Sequence, residues 1–96
     1  MAGGIVFEWD ARKARANLGK HRVSFEEATS VFADPLGITI RDPAHSSPAD
    51  ERFVTVGCSA GGRSLVVVHS DRDETIRIIS ARIATKRERR QYEEES

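Results

Sequence analysis

Between Arg72 and Tyr92 stand seven cations (Arg72, Arg77, Arg82, Lys86, Arg87, Arg89 and Arg90) against three acids (Asp73, Glu74 and Glu88). That stretch carries +4 in a chain whose formal net charge is +0. Twelve of the fifteen cations are arginine. A guanidinium offers a planar fork that grips phosphate or carboxylate through two hydrogen bonds, whereas lysine is a point charge. Arg77 lies among isoleucines in "TIRIIS". It must face water, pair with an acid such as Glu51 or Glu74, or meet an anionic ligand. Arg82 has the same choice just before a helix start, where orphan N–H groups and the macrodipole favour an anion. Lys86 and Arg87 fall in that helix's first turn. Cations are unfavourable there, and a bound phosphate would relieve the repulsion. The plain alternative for any such charge run is a solvated face.

Other groups could move protons. Glu51 opens a strand beside Arg52, as an edge ion pair or a general base. His69 ends "LVVVH". It is either a hydrogen-bonded strand-end histidine or, if it shares a cleft with Arg77, a proton acceptor near neutral pH. Several chemistries are set aside. No C-x-x-C, H-E-x-x-H or paired metal spacing occurs, so no metal site and no cofactor are expected. "GCSAGG" reads as a hairpin turn, because its serine has no neighbouring base and its glycines precede no helix.

The elements that must position these residues follow from periodicity. Residues 5–9 read as a short strand. Asp10 caps a helix through about His21, with Ala11, Ala14 and Leu18 on one stripe and Arg12, Lys13, Arg15 and Lys20 making its other surface basic. Ser24 and Glu27 form a capping box for a second helix, with Phe25, Ala28, Val31 and Phe32 as its buried stripe. Asp34-Pro35 ends it. The period then changes to two, with strands over 36–40, 51–58, 64–70 and 75–84, a turn at 59–63 and another at 71–74. Thr85 and Glu88 give a third capping box and a last helix to about residue 94. Helices followed by strands argue an α+β fold: two N-terminal helices packed on a curved antiparallel sheet of about four strands, then a C-terminal helix. Alternation puts Leu65, Val67 and His69 on one face. A bulge near Ser80 would change the face that Arg82 meets.

The 96 residues give room for one domain, 1–96, and one modest core. A lone cysteine, Cys58, cannot close an internal disulfide, which suits a reducing cytoplasm. No apolar run approaches the length of about 20 residues that spans a membrane, and no signal peptide is seen.

"FEWD", "KARANLGKHRVSFEEATSVFADP", "ERFVTVG", "GRSLVVV" and "TIRIISARIATKRERRQYE" together resemble the BrnT family, toxins of type II toxin–antitoxin pairs. The resemblance runs from about Val6 to Glu93. One departure is Arg22, where the family usually has glycine and a left-handed helix exit. The resemblance implies a RelE-like fold, metal-independent RNA cleavage and inhibition by a BrnA-type antitoxin. It also implies that the protein reaches operator DNA only through that antitoxin, with a dimer possible within the complex. Arg77, Arg82, Glu88, Arg89 and Tyr92 fall in the motif shared near the family's C-terminal end, and Glu51 and Arg52 in the opening of its middle strand. In the expected reaction the RNA 2′-hydroxyl attacks the adjacent phosphate. Arg77 and Arg82 stabilise the growing charge, Glu51 or His69 takes the proton, and Arg52 lies beside them. Lys86, Arg87, Arg89 and Arg90 hold flanking phosphates, and Tyr92 either stacks on a base or packs on the sheet. The rival expectation is a non-catalytic antitoxin-binding module acting as a co-repressor of its own operon. Direct DNA binding is disfavoured, since no helix-turn-helix is legible.

Overall fold

The computed structural model describes residues 4–44 and 46–95. The chain runs β1 (Val6–Glu8), α1 (Ala11–His21), α2 (Phe25–Thr29), a 3-10 turn (Ser30–Ala33), β2 (Ile38–Arg41), β3 (Arg52–Cys58), β4 (Ser64–Arg72), β5 (Thr75–Ile83) and α3 (Lys86–Glu95). The fold is α+β, but the sheet differs from the one expected. It has five strands in the order β1-β5-β4-β3-β2. Strands β2 to β5 form the antiparallel meander, while β1 adds parallel to the outer edge of β5. A three-residue strand carries too little alternation to reveal a partner almost seventy positions away, so the mixed sheet was not legible from pattern.

Caps set the helix starts. The Asp10 carboxylate accepts the N–H groups of Arg12 and Lys13 at 2.8 and 3.1 Å. Those bonds, with the lysine's charge added, hold its carboxyl below the usual carboxylate range. The Thr85–Glu88 box is reciprocal, at 2.8 and 3.1 Å. The Ser24–Glu27 box is only half formed. Ser24 accepts the Glu27 N–H at 2.9 Å, but the Glu27 carboxylate turns away to Arg63 and Ser59.

α1 ends on Arg22 at φ 59°, ψ 32°, with its N–H donating to Leu18 at 3.0 Å. That is the left-handed exit, occupied here by a residue with a Cβ. Such a conformation costs a non-glycine residue roughly 1–2 kcal/mol. Arg22→Gly is therefore expected to raise stability by about 0.5–1 kcal/mol once glycine's greater chain entropy is subtracted; the shift in urea midpoint checks it.

The core lies between the helical layer and one sheet face. Val23, Phe25, Ala28 and Val31 meet Leu65, Val67, Ile76, Ile78 and Ala81. On α1 the expected stripe is only partly right. Leu18 is half exposed, and the buried residue is Asn17. Its amide donates to the carbonyls of Val23 and Ala81 at 3.0 and 2.8 Å and accepts the Ala81 N–H at 3.1 Å.

A bulge decides what the other face displays. Val68 pairs with Ser80 but His69 pairs with Ile78, so Ile79 is the extra residue of β5. Below it Ile76 and Ile78 point to the core; above it Ala81 does. Without the bulge, strict alternation would send Arg82 into the core side with Ile76 and Ile78. With it, Arg82 emerges on the open face together with Arg77.

Candidate functional site

Arg52, Ser70 and Arg77 form one cross-strand row on the open face of β3, β4 and β5, and Glu8 on β1 extends it. Two strand spacings put the Arg52 and Arg77 backbones about 10 Å apart, with the Ser70 side chain between them. A cleft of about 500 Å³ opens over this row and is also lined by Lys13, Asp50, Glu51, Asp71 and Arg72. Each guanidinium has an acid beside it. Arg77 meets Glu8 at 3.1 Å, and Arg52 meets Asp50 at 3.1 Å. Arg77 and Glu8 are 43% and 53% exposed, so the pair contributes little, about 0–1 kcal/mol. A phosphate can compete for such a cation. Glu51 sits at the rim and accepts from Arg41 at 2.8 Å.

Arg82 does not join this cleft. Its guanidinium forks onto Glu88 at 2.8 and 2.7 Å. It lines a separate groove of about 600 Å³ between α3 and the apolar residues Ile38, Ile40, Val54, Val56, Val66 and Val68. Five residues of strand put it about 15 Å from Arg77. The two arginines share a face, as the bulge dictates, but not one pocket, which corrects the expectation that they act on the same phosphate. The fork and the N–H of Thr85 hold the Glu88 carboxyl well down, at about 2. A depressed carboxylate contributes stability above its unfolded value, near 4.5, and loses it as pH falls toward 2. With both partners a third or more exposed, screening leaves about 1 kcal/mol. The urea midpoint is therefore expected to fall between pH 4.5 and 2 more steeply in the native protein than in Glu88→Gln, as a pH series of unfolding curves reads directly.

Tyr92 packs on the sheet rather than offering its ring freely. Its hydroxyl donates to Asp34, which also accepts the N–H groups of Cys58 and Leu36 at 2.8 and 2.9 Å. The Asp34 carboxylate beside it pushes the phenol up to about 12. Lys86, Arg87, Arg89 and Arg90 are exposed on α3, and among the described residues none of them forms an ion pair.

His69 is the clearest correction. It does share a face with Leu65 and Val67, but that face is the core. It is 1% exposed, between Phe32 and Phe53, so it cannot touch a substrate on the open side. Burial lowers its pKa, opposed in part by Asp71. A carboxylate can only accept, so the neutral ring donates from Nδ1 to Asp71 at 2.6 Å and accepts the Thr55 hydroxyl at Nε2 at 2.7 Å. His69 thus holds the Asp71 carboxylate on its own, core-side face near the end of β4, turned away from the open face. Glu8, Lys13, Asp50, Asp71 and Arg72 line the cleft but are not among the site residues the sequence suggests, although Lys13 and Arg72 belong to its basic stretches. Asp71 had a faint signal, two residues after His69 on a strand; Glu8 had none, because β1 was not placed in the sheet.

Residues 9–88 match the family model described as "Ribonuclease toxin, BrnT, of type II toxin-antitoxin system". The chain belongs to the BrnT toxin family. Its fold is similar to the crystal structure of the Brucella abortus ribonuclease toxin BrnT, with a TM-score of 0.61 at 19% identity over 85% of this chain and 99% of that one. No individually curated protein matches it in sequence. Membership of a type II family implies an antitoxin partner. Among the described residues no helix is long and apolar enough to cross a membrane. Several residues of the BrnT-like motifs hold the fold: Asn17, Glu27, Asp34 and the Arg82–Glu88 pair each join separate elements. Arg52 and Arg77 do not; their partners are exposed and their guanidiniums line the cleft.

Proposed function

We propose that this BrnT protein is a metal-independent endoribonuclease that cleaves RNA in the cleft over Arg52, Ser70 and Arg77. The observation that carries the reading is the cross-strand row itself. Two guanidiniums, on the strands either side of β4, flank the space a phosphodiester would fill. As the 2′-hydroxyl attacks, charge grows on the non-bridging oxygens, where Arg77 and Arg52 stabilise it. Cations fixed in this way supply the role a metal ion would otherwise take. Glu51 at the rim takes the 2′-proton. Products are a 2′,3′-cyclic phosphate and a 5′-hydroxyl. Arg82, locked to Glu88, keeps α3 in place, and Lys86, Arg87, Arg89 and Arg90 on that helix hold flanking phosphates. The working assembly is cytoplasmic and RelE-like. A BrnA-type antitoxin inhibits it, reads operator DNA for the pair and allows a dimer within the complex. The deciding experiment is cleavage of a mixed RNA by purified protein in excess EDTA; loss of cleavage on chelation refutes the metal-independent reading.

A second reading has its own observation. The groove beside α3 has an apolar floor, and Ile40 in it is 60% exposed. An uncovered patch of this kind suits a protein partner. Here the chain would serve chiefly as the antitoxin's docking module and co-repressor. Absence of cleavage together with tight antitoxin binding would favour it.

A further inference from the structure

Among the described residues five arginines have a carboxylate partner: Arg41, Arg52, Arg63, Arg77 and Arg82. The contrast is α1. Residues 11–22 hold Arg12, Lys13, Arg15, Lys20 and Arg22 and no acid at all. These five are exposed, and among the described residues none forms an ion pair. Helical spacing sorts them. With Asn17, Ala14 and His21 turned inward, the outer face centres on Gly19 and Arg12, with Arg15 on one side of it and Lys20 at the other edge; Lys13 lies beyond that edge, toward the sheet.

The fold accounts for only part of that arrangement: Lys20 and Arg22 suit the C-terminal end of the helix dipole, the others do not. Cations in the first turn oppose the helix dipole, and Arg12 and Arg15 repel each other one turn apart. Gly19 weakens the helix, yet a side chain there would meet nothing within 4 Å. The face is therefore costly to stability and open in front. Lys13 also lines the cleft over Arg52 and Arg77, so the basic surface is continuous with it around the β1 edge. An acidic protein partner would satisfy the charges, but continuity with the cleft favours the polyanion that enters it.

We propose that the outer face of α1, through Arg12, Arg15 and Lys20, is a second phosphodiester-binding surface that grips the RNA beyond the segment in the cleft. The inference rests on the ribonuclease reading of that cleft. The helix is about 16 Å long, enough to follow a stretch of backbone without reading bases, so the contact is independent of sequence. It raises affinity and leaves the chemical step unchanged.

The test uses the whole chain with Arg12, Arg15 and Lys20 all changed to glutamine. The probe is an uncleavable 2′-O-methyl oligoribonucleotide, titrated by fluorescence anisotropy at several salt concentrations, with duplex DNA of the same sequence as a second arm. The triple variant should bind the RNA probe about tenfold or more weakly at moderate salt. Its slope of log K against log salt should be shallower by about 2, the value for three lost single-strand contacts. Its melting midpoint should equal or slightly exceed the parent's, because repulsion within α1 is removed, and its cleavage rate at saturating RNA should match the parent's. Equal affinity and slope in parent and triple variant overturn the proposal, as does a parent that binds no RNA. Duplex DNA bound more tightly than RNA, with the same loss in the variant, overturns the assignment to RNA. Should the parent bind RNA and the variant lose that binding while neither cleaves, the α1 surface stands and the reaction assigned to the cleft falls.

Discussion

Replacing Arg77 by glutamine is expected to lower the rate of RNA cleavage about 10²–10³-fold, the loss typical of one preorganised group that stabilises transition-state charge. RNA binding should weaken far less, because the other cleft cations, Arg52, Arg72 and Lys13, remain. The reason lies in placement. Arg77 stands on the central part of the sheet, between β4 and β1, and a strand fixes a side chain more tightly than a loop does. Glutamine keeps a polar side chain and drops only the charge. Stability should hardly change, since the Arg77–Glu8 pair is exposed on both sides. Single-turnover rates and melting midpoints on the same preparations check both halves of the statement. A rate within a few-fold of the parent's would leave the cross-strand row without a catalytic role.

The companion variant Arg82→Gln separates two kinds of loss. Arg82 and Glu88 form a fork that fastens the start of α3. Its removal leaves a partly buried carboxylate and loosens the helix that carries Tyr92. Activity lost through Arg82 should therefore come with lower stability, and activity lost through Arg77 should not. A common phosphate-binding role would give both variants the same signature.

The order of helices and strands, the caps at Asp10, Ser24 and Thr85, and the faces of β4 were legible because each rests on local pattern. Capping depends on residues three apart, and alternation on residues two apart. What was not legible depends on long-range pairing. β1 lies beside β5 only because the meander leaves that edge open, and so Arg77 found Glu8 rather than Glu51 or Glu74. His69 shows how the two levels meet. Its face was read correctly from alternation, but whether that face is core or cleft depends on where the helices pack. Arg82 shows the reverse. Only the bulge at Ile79, which registers in hydrogen bonding and not in composition, turns it outward. The mutual bonds Arg82–Glu88 and Tyr92–Asp34 explain why residues that looked like a binding motif do structural work.

Asn17 makes the other large prediction. Beyond Glu8 the strand β1 has ended, yet β5 continues, leaving the N–H and carbonyl of Ala81 without a strand partner on that edge. The Asn17 side chain fills the place of the missing residue. Its amide is itself a peptide-like group, and it accepts from the Ala81 N–H and donates to the Ala81 carbonyl, with a third bond to the Val23 carbonyl. One side chain thus ties α1, the turn into α2 and β5 together, while 7% exposed. Asn17→Ala strands these backbone groups away from water, at about 1–3 kcal/mol for each left unpaired. Allowing for partial relaxation, the expected loss is about 3 kcal/mol or more, a large share of the 5–15 kcal/mol that holds a domain of this size. Urea unfolding should show the midpoint falling with little change in slope, as befits lost stability rather than an altered unfolded state. Asn17→Asp should be no milder, although it is nearly the same shape. A carboxylate there can still accept from Ala81 but faces two carbonyls to which it has nothing to donate. If both variants unfold at the parent's urea concentration, β5 does not depend on α1 for its edge. The packing of the helical pair would then have to rest on the apolar core alone.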